Sequence, residues 1–338
     1  MNAIPLPTSP GPTPTTEPRA SACVIVNPHS HTVARDGLAA PALALARAQG
    51  ADVIEAHGPE TIAAGLDRAL AHGARRIIVL AGDGTVHAIV DRLAMLPPGA
   101  PMPALLLLGG GRSNLTAADL GGSDAALKRL EAALLRARSG DDDAGAIRYR
   151  HALVVEQPPA PPRHGFFVAG ALVDRLIRRI HRYRHGGGRL RKSDAGTAWC
   201  VLKSLVPVLR GNGDFASPRL DVDLPGQGSL RGPVRIFVAT TLAHADPSFN
   251  PYADRGEGAL RATAVADGAA GFWRRLPRLL KGRFSARMTA EQGWLSGRCP
   301  SVSVGGLDGY TLDGQSFDCD PSRPVVIRTG PCIAFLAP

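Results

Sequence analysis

The chain has no long apolar stretch. Its densest runs, such as Ala104 to Leu108, stop after a few residues, whereas a bilayer-spanning helix needs about 20. Any membrane contact is therefore expected to be peripheral. Cysteine is also sparse. The five cysteines, Cys23, Cys200, Cys299, Cys319 and Cys332, are odd in number and lie far apart, which argues against a disulfide framework or a zinc site and fits a reducing compartment. Aromatic residues account for only 5% of the composition and no nucleic-acid module accompanies them, so nucleic acid is not an expected partner. No export signal is visible, because prolines interrupt every apolar pair in the first twenty residues. Residues 1–20 are expected to form a disordered extension, and the protein is expected to be cytoplasmic.

At 338 residues the chain is about twice the length of a typical domain. A 44% apolar share against 20% charged residues supplies enough material for two packed cores. The formal charge of +10 is concentrated. Positions 175–192 hold eight cations, Arg175, Arg178, Arg179, Arg182, Arg184, Arg189, Arg191 and Lys192, without an acid. Positions 272–284 hold five more, Arg274, Arg275, Arg278, Lys281 and Arg283, again without one. The rest of the chain is slightly acidic, so the basicity is local and points to an anionic surface or ligand. Both segments mix cations with apolar residues at helical spacing: Leu172, Leu176, Ile177, Ile180 and Tyr183 in the first, Phe272, Trp273, Leu276, Leu279 and Leu280 in the second. A helix lying on anionic lipid has this pattern. A core-facing helix with a solvated basic face has it too.

From residue 22 onward, short apolar runs alternate with Ala- and Leu-rich helical patterns. Strands are expected at 23–26, 51–56, 77–80 and 105–108, and helices at 38–49, 60–71 and 85–96, with Gly50 and Gly73 as stops. Such alternation predicts a parallel sheet covered on both faces, a Rossmann-like three-layer α/β domain over residues 21–143. A further helix at 124–138 runs into Ser139-Gly140-Asp141-Asp142-Asp143, a polar break that marks the boundary. Beyond it the alternation stops. Strands are expected at 149–156, 166–169, 220–224, 234–240 and 325–328, divided by Pro/Gly turns and two or three helices. This predicts a mainly antiparallel second domain over 144–338, its C-terminal end packing back on the first.

Ligands of such sheets bind where loops leave the carboxyl ends of the strands. Three polar or Gly-rich loops leave there: Asn27 to His31, Gly82 to Thr85, and Gly109 to Asn114. In Gly82-Asp83-Gly84-Thr85 the glycines allow a sharp turn and close approach of phosphate oxygens to backbone N–H groups, and the following helix directs its positive end at them. The Asp83 carboxylate is then placed to meet a metal ion or a hydroxyl nucleophile. A helix-capping turn explains the same four residues. Company strengthens the phosphate reading: Gly109-Gly110-Gly111-Arg112-Ser113-Asn114 also follows a buried strand and precedes a helix, and packing alone does not call for three consecutive glycines. Asn27, at the end of the first strand, can fix a phosphate or a base by side-chain hydrogen bonds. His29, His31 and His87 fall at the same site, although loop histidines are more often solvated than catalytic.

These motifs resemble the diacylglycerol kinase catalytic family, which includes bacterial lipid kinases and sphingosine kinases and is related in fold to NAD kinase. Asn27, Pro28 and Ser30 match an Asn-Pro-x-Ser motif. Gly82 to Thr85 match Gly-Gly-Asp-Gly-Thr, with Ala81 in place of the first Gly. Gly111, Asn114, Ala117, Leu120 and Gly121 match Gly-Thr-x-Asn-Asp-x-Ala followed by Leu-Gly, with Arg112 and Leu115 where Thr and Asp are usual. Asp313-Gly314-Gln315 matches Asp-Gly-Glu with Gln for Glu. The resemblance implies ATP bound on the first domain by Asn27, Gly82, Asp83, Gly84, Thr85, Gly110, Gly111, Arg112 and Asn114, a β-sandwich-like second domain forming a lipid cleft, and Mg²⁺. It also implies a metal-supporting acid in the second domain at Glu257.

The activity so implied is transfer of the γ-phosphate of ATP to the hydroxyl of diacylglycerol or a related lipid. Catalysis is expected from Asp83, with Asp313 orienting, because Gln315 stands where the family has its proton acceptor and an amide cannot take that proton at neutral pH. Arg112 either pairs with phosphate or blocks the cleft. One alternative is a nucleotide-binding pseudokinase or lipid-binding regulator. Another is a kinase for a soluble substrate such as NAD. Expected partners are a lipid substrate, an anionic membrane surface met through 175–192 and 272–284, and optionally a second copy of the chain.

Overall fold

The structure, a computed structural model, describes residues 22–97, 99–111, 115–119, 125–139, 147–185, 216–243 and 250–337. The N-terminal half begins with β1 (Ala22–Val26), α1 (His31–Arg35), α2 (Ala39–Ala48), β2 (Asp52–Glu55), α3 (Pro59–Ala71) and β3 (Arg76–Ala81). It continues through α4 (Asp83–Ala94), β4 (Ala104–Gly109), α5 (Leu115–Asp119) and α6 (Ala126–Ser139). β1 pairs in parallel with both β2 and β3, and β3 pairs in parallel with β4.

Alternate strand residues point to opposite faces of this sheet, and each face collects its own helices. Val24, Ile78, Leu80, Leu106 and Leu108 pack with Ala42, Leu43 and Ala46 of α2 and with Leu130 and Leu134 of α6. Ile25, Ile77, Val79, Leu105 and Leu107 pack instead with Ile62 and Leu66 of α3 and with Val86, Ile89, Val90 and Leu93 of α4. Strands buried on both sides explain why these runs read as continuous apolar stretches in the sequence.

The second half contains β5 (Ile147–Glu156), β6 (Arg163–Gly165), β7 (Phe167–Gly170), α7 (Ala171–His185), β8 (Arg219–Leu224), β9 (Gly228–Thr240) and β10 (Leu260–Ala266). After these come α8 (Phe272–Leu280), β11 (Trp294–Cys299), β12 (Ser301–Gly305), β13 (Gly309–Leu312), β14 (Gln315–Asp318) and β15 (Val325–Leu336). Its pairings are antiparallel. One layer runs through β5, β15, β12 and β8, and the other through β14, β13, β7, β10 and β11. β9 belongs to both: it pairs with β8 up to Pro233 and with β10 from Val234. Leu153, Val222, Val302 and Ile327 from one layer meet Val168, Phe237, Ala264 and Leu295 from the other in a common core.

The last strand joins the halves. β15 pairs with β12 through Val325–Arg328, then passes a register shift between Thr329 and Cys332. It continues along β5 until Phe335 lies beside Leu105 of β4, in parallel. A Cβ on Gly330, in the shifted stretch, would come 2.5 Å from Val154 Cγ2, so a side chain there would displace Val154 of β5.

Several second-half expectations are corrected. β15 extends well beyond 328 and β9 begins at 228, because Gly228, Gly232 and Pro233 read as a turn in sequence but lie inside a paired strand. The expected strand at 166–169 is β7, shifted by one residue, and β6 just before it has no counterpart among the expected elements. β10 to β14 have no counterpart among the expected elements. The proposed boundary at 143, the extension at 1–20 and the basic positions Arg189, Arg191 and Lys192 lie outside the described residues. Among the described residues no helix is long and apolar enough to cross a membrane.

Candidate functional site

Three loops meet at the carboxyl edge of the parallel sheet, held together by their own polar side chains. Asn27, just after β1, donates from Nδ2 to Thr85 Oγ1 at 2.8 Å, while its Oδ1 accepts the His29 N–H at 2.9 Å. Ser30 Oγ accepts the Gly82 N–H at 2.9 Å. Thr32 donates through its hydroxyl to the Gly111 carbonyl and through its N–H to the Gly110 carbonyl. The Asn-Pro-x-Ser segment therefore braces the Gly82–Thr85 loop, and Thr32 just beyond it braces the glycine run. Thr32 was not singled out from the sequence; it lies two residues beyond the serine of that motif.

The glycines serve close approach. A Cβ on Gly82 would stand 3.2 Å from Gly111 Cα. One on Gly110 would stand 2.7 Å from Val33 Cγ2 and 2.9 Å from the Ala81 nitrogen. Gly110 thus has a packing role, which corrects the expectation that packing makes no demand there. α4 starts directly after Gly82 with no side-chain cap, so the positive end of the helix lies at the junction.

The cleft in front of this junction encloses about 550 Å³, within the usual range of about 300–1,000 Å³ for small-molecule sites. Its first wall is Asn27, Ser30, Gly82, Gly84 and Thr85, continued along α4 by His87, Ala88 and Asp91. The loop after β2 adds His57, Gly58 and Pro59. The facing wall comes from the second half: Arg163 of β6 together with Gln315 and Phe317 of β14. Arg163 stacks its guanidinium 4.2 Å over the Phe317 ring. Gln315 reaches across, its Nε2 3.4 Å from the Gly84 carbonyl.

Of the three acid–base positions expected from sequence, Gln315 lines the cleft and the two aspartates do not. Asp83 is half-buried in the first turn of α4. Asp313 occupies the turn between β13 and β14 at a φ of 47°, where its carboxylate accepts the N–H groups of Phe166 and Phe167 at 2.9–3.1 Å. Asp313 also stands 3.6 Å from His87 Nδ1, both side chains being only 8% exposed. One turn further along α4, Asp91 Oδ1 accepts both the backbone N–H and the ring nitrogen contact of His164 at 2.9 Å. Burial works to raise the Asp91 pKa, but the His164 hydrogen bonds and the charges of His164 and His87 outweigh it and hold this carboxyl below its ordinary 3.8.

Glu257 is exposed and does not line the cleft. Among the described residues no three His, Cys, Asp or Glu side chains converge as a metal cage. Arg112 and Asn114 lie outside the described residues. Sequence reading missed His57, Asp91, Arg163 and Phe317. Asp91 carried a usable signal, since it follows Asp83 and His87 at four-residue intervals on one helix face. Arg163 and Phe317 carried none, because they reach the site only through the second half's fold.

Residues 21–145 match the family model of the diacylglycerol kinase catalytic domain. The match ends near the close of the α/β half. A diacylglycerol kinase structure from Bacillus anthracis superposes with a TM-score of 0.59 at 11% identity, covering 96% of this chain and 98% of that one. A second structure from the same organism, described only provisionally as a diacylglycerol kinase, gives 0.63 at 14% identity with the same coverage. At these identities the likeness is one of fold, an α/β half joined to an antiparallel half. No curated protein matches the chain significantly.

Proposed function

We propose that the chain is an ATP-dependent lipid kinase that transfers the γ-phosphate of ATP to the hydroxyl of diacylglycerol or a related lipid. The observation that carries this reading is the two-walled cleft: a braced glycine junction at a helix N-terminus on one side, and Arg163, Gln315 and Phe317 of the β half on the other. The donor set suits a triphosphate, since Asn27, Ser30 and Thr85 surround backbone positions that must stay free of a Cβ. Phosphoryl transfer rests chiefly on positioning and charge stabilisation, which such a cradle provides. Mg²⁺, if it enters with the nucleotide, would supply charge neutralisation, as it commonly does at nucleotide phosphates. Arg163 offers a cation to the facing side, and the Phe317 ring an apolar surface for the lipid end of the acceptor.

The test is incorporation of labelled γ-phosphate into a lipid extract. Mg²⁺-dependent labelling of one lipid class is expected. Nucleotide binding without labelling of any class would sink the proposal. One observation favours the pseudokinase alternative: the amide of Gln315 occupies the cleft position facing Gly84. Gln315→Glu separates the two readings, because activity that appears only in that variant assigns the natural chain to the regulator. Peripheral contact with an anionic membrane is part of the proposal, through the exposed basic face of α8.

A further inference from the structure

The kinase reading leaves the acceptor proton without a destination. Gln315 cannot take it, and neither Asp83 nor Asp313 lines the cleft. His87 does line it, one turn into α4 from Gly84. Its Nδ1 is buried, has no hydrogen-bond partner and faces Asp313 Oδ2 at 3.6 Å. Asp313 cannot swing toward solvent, because its two oxygens hold the Phe166 and Phe167 amides where β6 passes into β7. With Nδ1 turned to a fixed carboxylate, the other ring nitrogen is the one available to the cleft.

We propose that His87 is the general base of this active site and that Asp313 is its positioning residue. The proposal rests on the kinase reading. The O–H bond of the acceptor alcohol breaks and its proton passes to His87 Nε2. The oxygen electron pair forms the bond to the γ-phosphorus, and the bond from that phosphorus to the β–γ bridging oxygen breaks, its pair leaving with the nucleoside diphosphate. The imidazolium so formed faces the fixed carboxylate of Asp313, whose charge stabilises it. An aspartate behind a histidine fixes tautomer and orientation and stabilises the cation, as in the serine hydrolase triad. The other charged groups around the ring are Asp91 on the next turn of α4, with His164 bound to it, and Arg163 across the cleft stacked on Phe317, whose ring centroid is 6.2 Å from that of His87.

Three measurements test the assignment. Wild-type lipid phosphorylation comes first, and its absence overturns both the kinase reading and this one. Given activity, His87→Asn is expected to lower kcat about 100-fold or more while leaving the nucleotide KM within about twofold. It is also expected to abolish the acid limb of the kcat profile. An unchanged kcat, or an acid limb that persists, overturns the proposal and leaves the kinase reading standing. Asp313→Asn removes the opposite charge behind the ring, so the acid limb is expected to move to lower pH, an effect a purely structural aspartate does not produce. Should that variant fail to fold, the double variant His87→Asn with Gln315→Glu takes its place. Recovery of about tenfold or more over His87→Asn is expected there, since a carboxylate at position 315 restores a proton acceptor on the facing wall; no recovery counts against the proposal. Independently of turnover, nitrogen NMR of the labelled histidines in the full-length chain is expected to show a neutral His87 protonated on Nδ1. The opposite tautomer overturns the assignment.

Discussion

At Gly82 the demand is for space. Its φ of −89° is open to any residue, but a methyl group there would press on the Gly111 backbone at 3.2 Å and part the two loops that form the cradle. Gly82→Ala is therefore expected to fold, with a melting temperature near that of wild type, and to weaken nucleotide binding about tenfold, corresponding to about 1.4 kcal/mol. Calorimetric titration with a non-hydrolysable nucleotide measures it, and unchanged affinity would show that the two loops need not touch. Asp91 carries a different prediction. Its folded pKa is depressed, so the stability it contributes is present above its unfolded value and is lost as pH falls through the lower folded one. Asp91→Asn should flatten the decline of stability below about pH 4. Urea unfolding at stepped pH reads this directly, and parallel curves for the two proteins would refute it.

Helix α7 shows what an element contributes beyond its sequence pattern. Its basic appearance is partly cancelled by acids from elsewhere: Arg175 pairs with Asp308, and Arg178 with Asp174 one turn earlier and with Asp318 of β14. The helix is anchored where Thr311 of β13 donates to the buried Asp174 Oδ1 at 2.6 Å. Burial raises the Asp174 pKa, only partly offset by Thr311 and by Arg178, so the carboxylate depends on those partners. Thr311→Val keeps the shape and removes the donor. It is expected to cost about 1–3 kcal/mol in denaturant unfolding, and a cost near zero would mean that Asp174 finds another donor. The same helix marks the limit of sequence reading. The parallel strands β1, β3 and β4 were legible as short continuous apolar runs, and helices α2 and α3 by their apolar period and the stops Gly50 and Gly73. β13 and β14 were not, since Gly309–Leu312 and Gln315–Asp318 are four-residue strands joined through a φ-positive Asp313 and show no local period. Loop motifs were legible as a set of three. The wall that faces them, and the His87–Asp313 approach, arise from contacts between residues far apart in the chain, such as Asp91 with His164 and Gly84 with Gln315.

Charge at the scale of the molecule is concentrated on the other basic element. α8 turns Phe272 and Leu279 into a core with Val265, Met288 and Trp294, and Arg275 is buried with them. Arg274, Arg278, Lys281 and Arg283 are exposed, and Trp273 among them is 49% exposed. The core-facing reading of this segment holds, and its outer face is basic and carries Trp273, the surface on which the proposed lipid contact rests. Trp273 packs edge-on against Phe272 at 4.9 Å and lies under the Arg235 guanidinium, and the part of its indole left exposed among cations suits the proposed contact with anionic lipid. Each cation close to such a surface is worth about 1 kcal/mol, so the triple variant Arg274→Gln, Arg278→Gln, Lys281→Gln should weaken binding to phosphatidylserine vesicles about 100-fold, with little change on phosphatidylcholine. Co-sedimentation at low and high salt measures it. If the wild-type chain shows no preference for the anionic vesicles, or the triple variant binds them equally well, the basic face of α8 is a solvated surface and the substrate must reach the cleft by another approach.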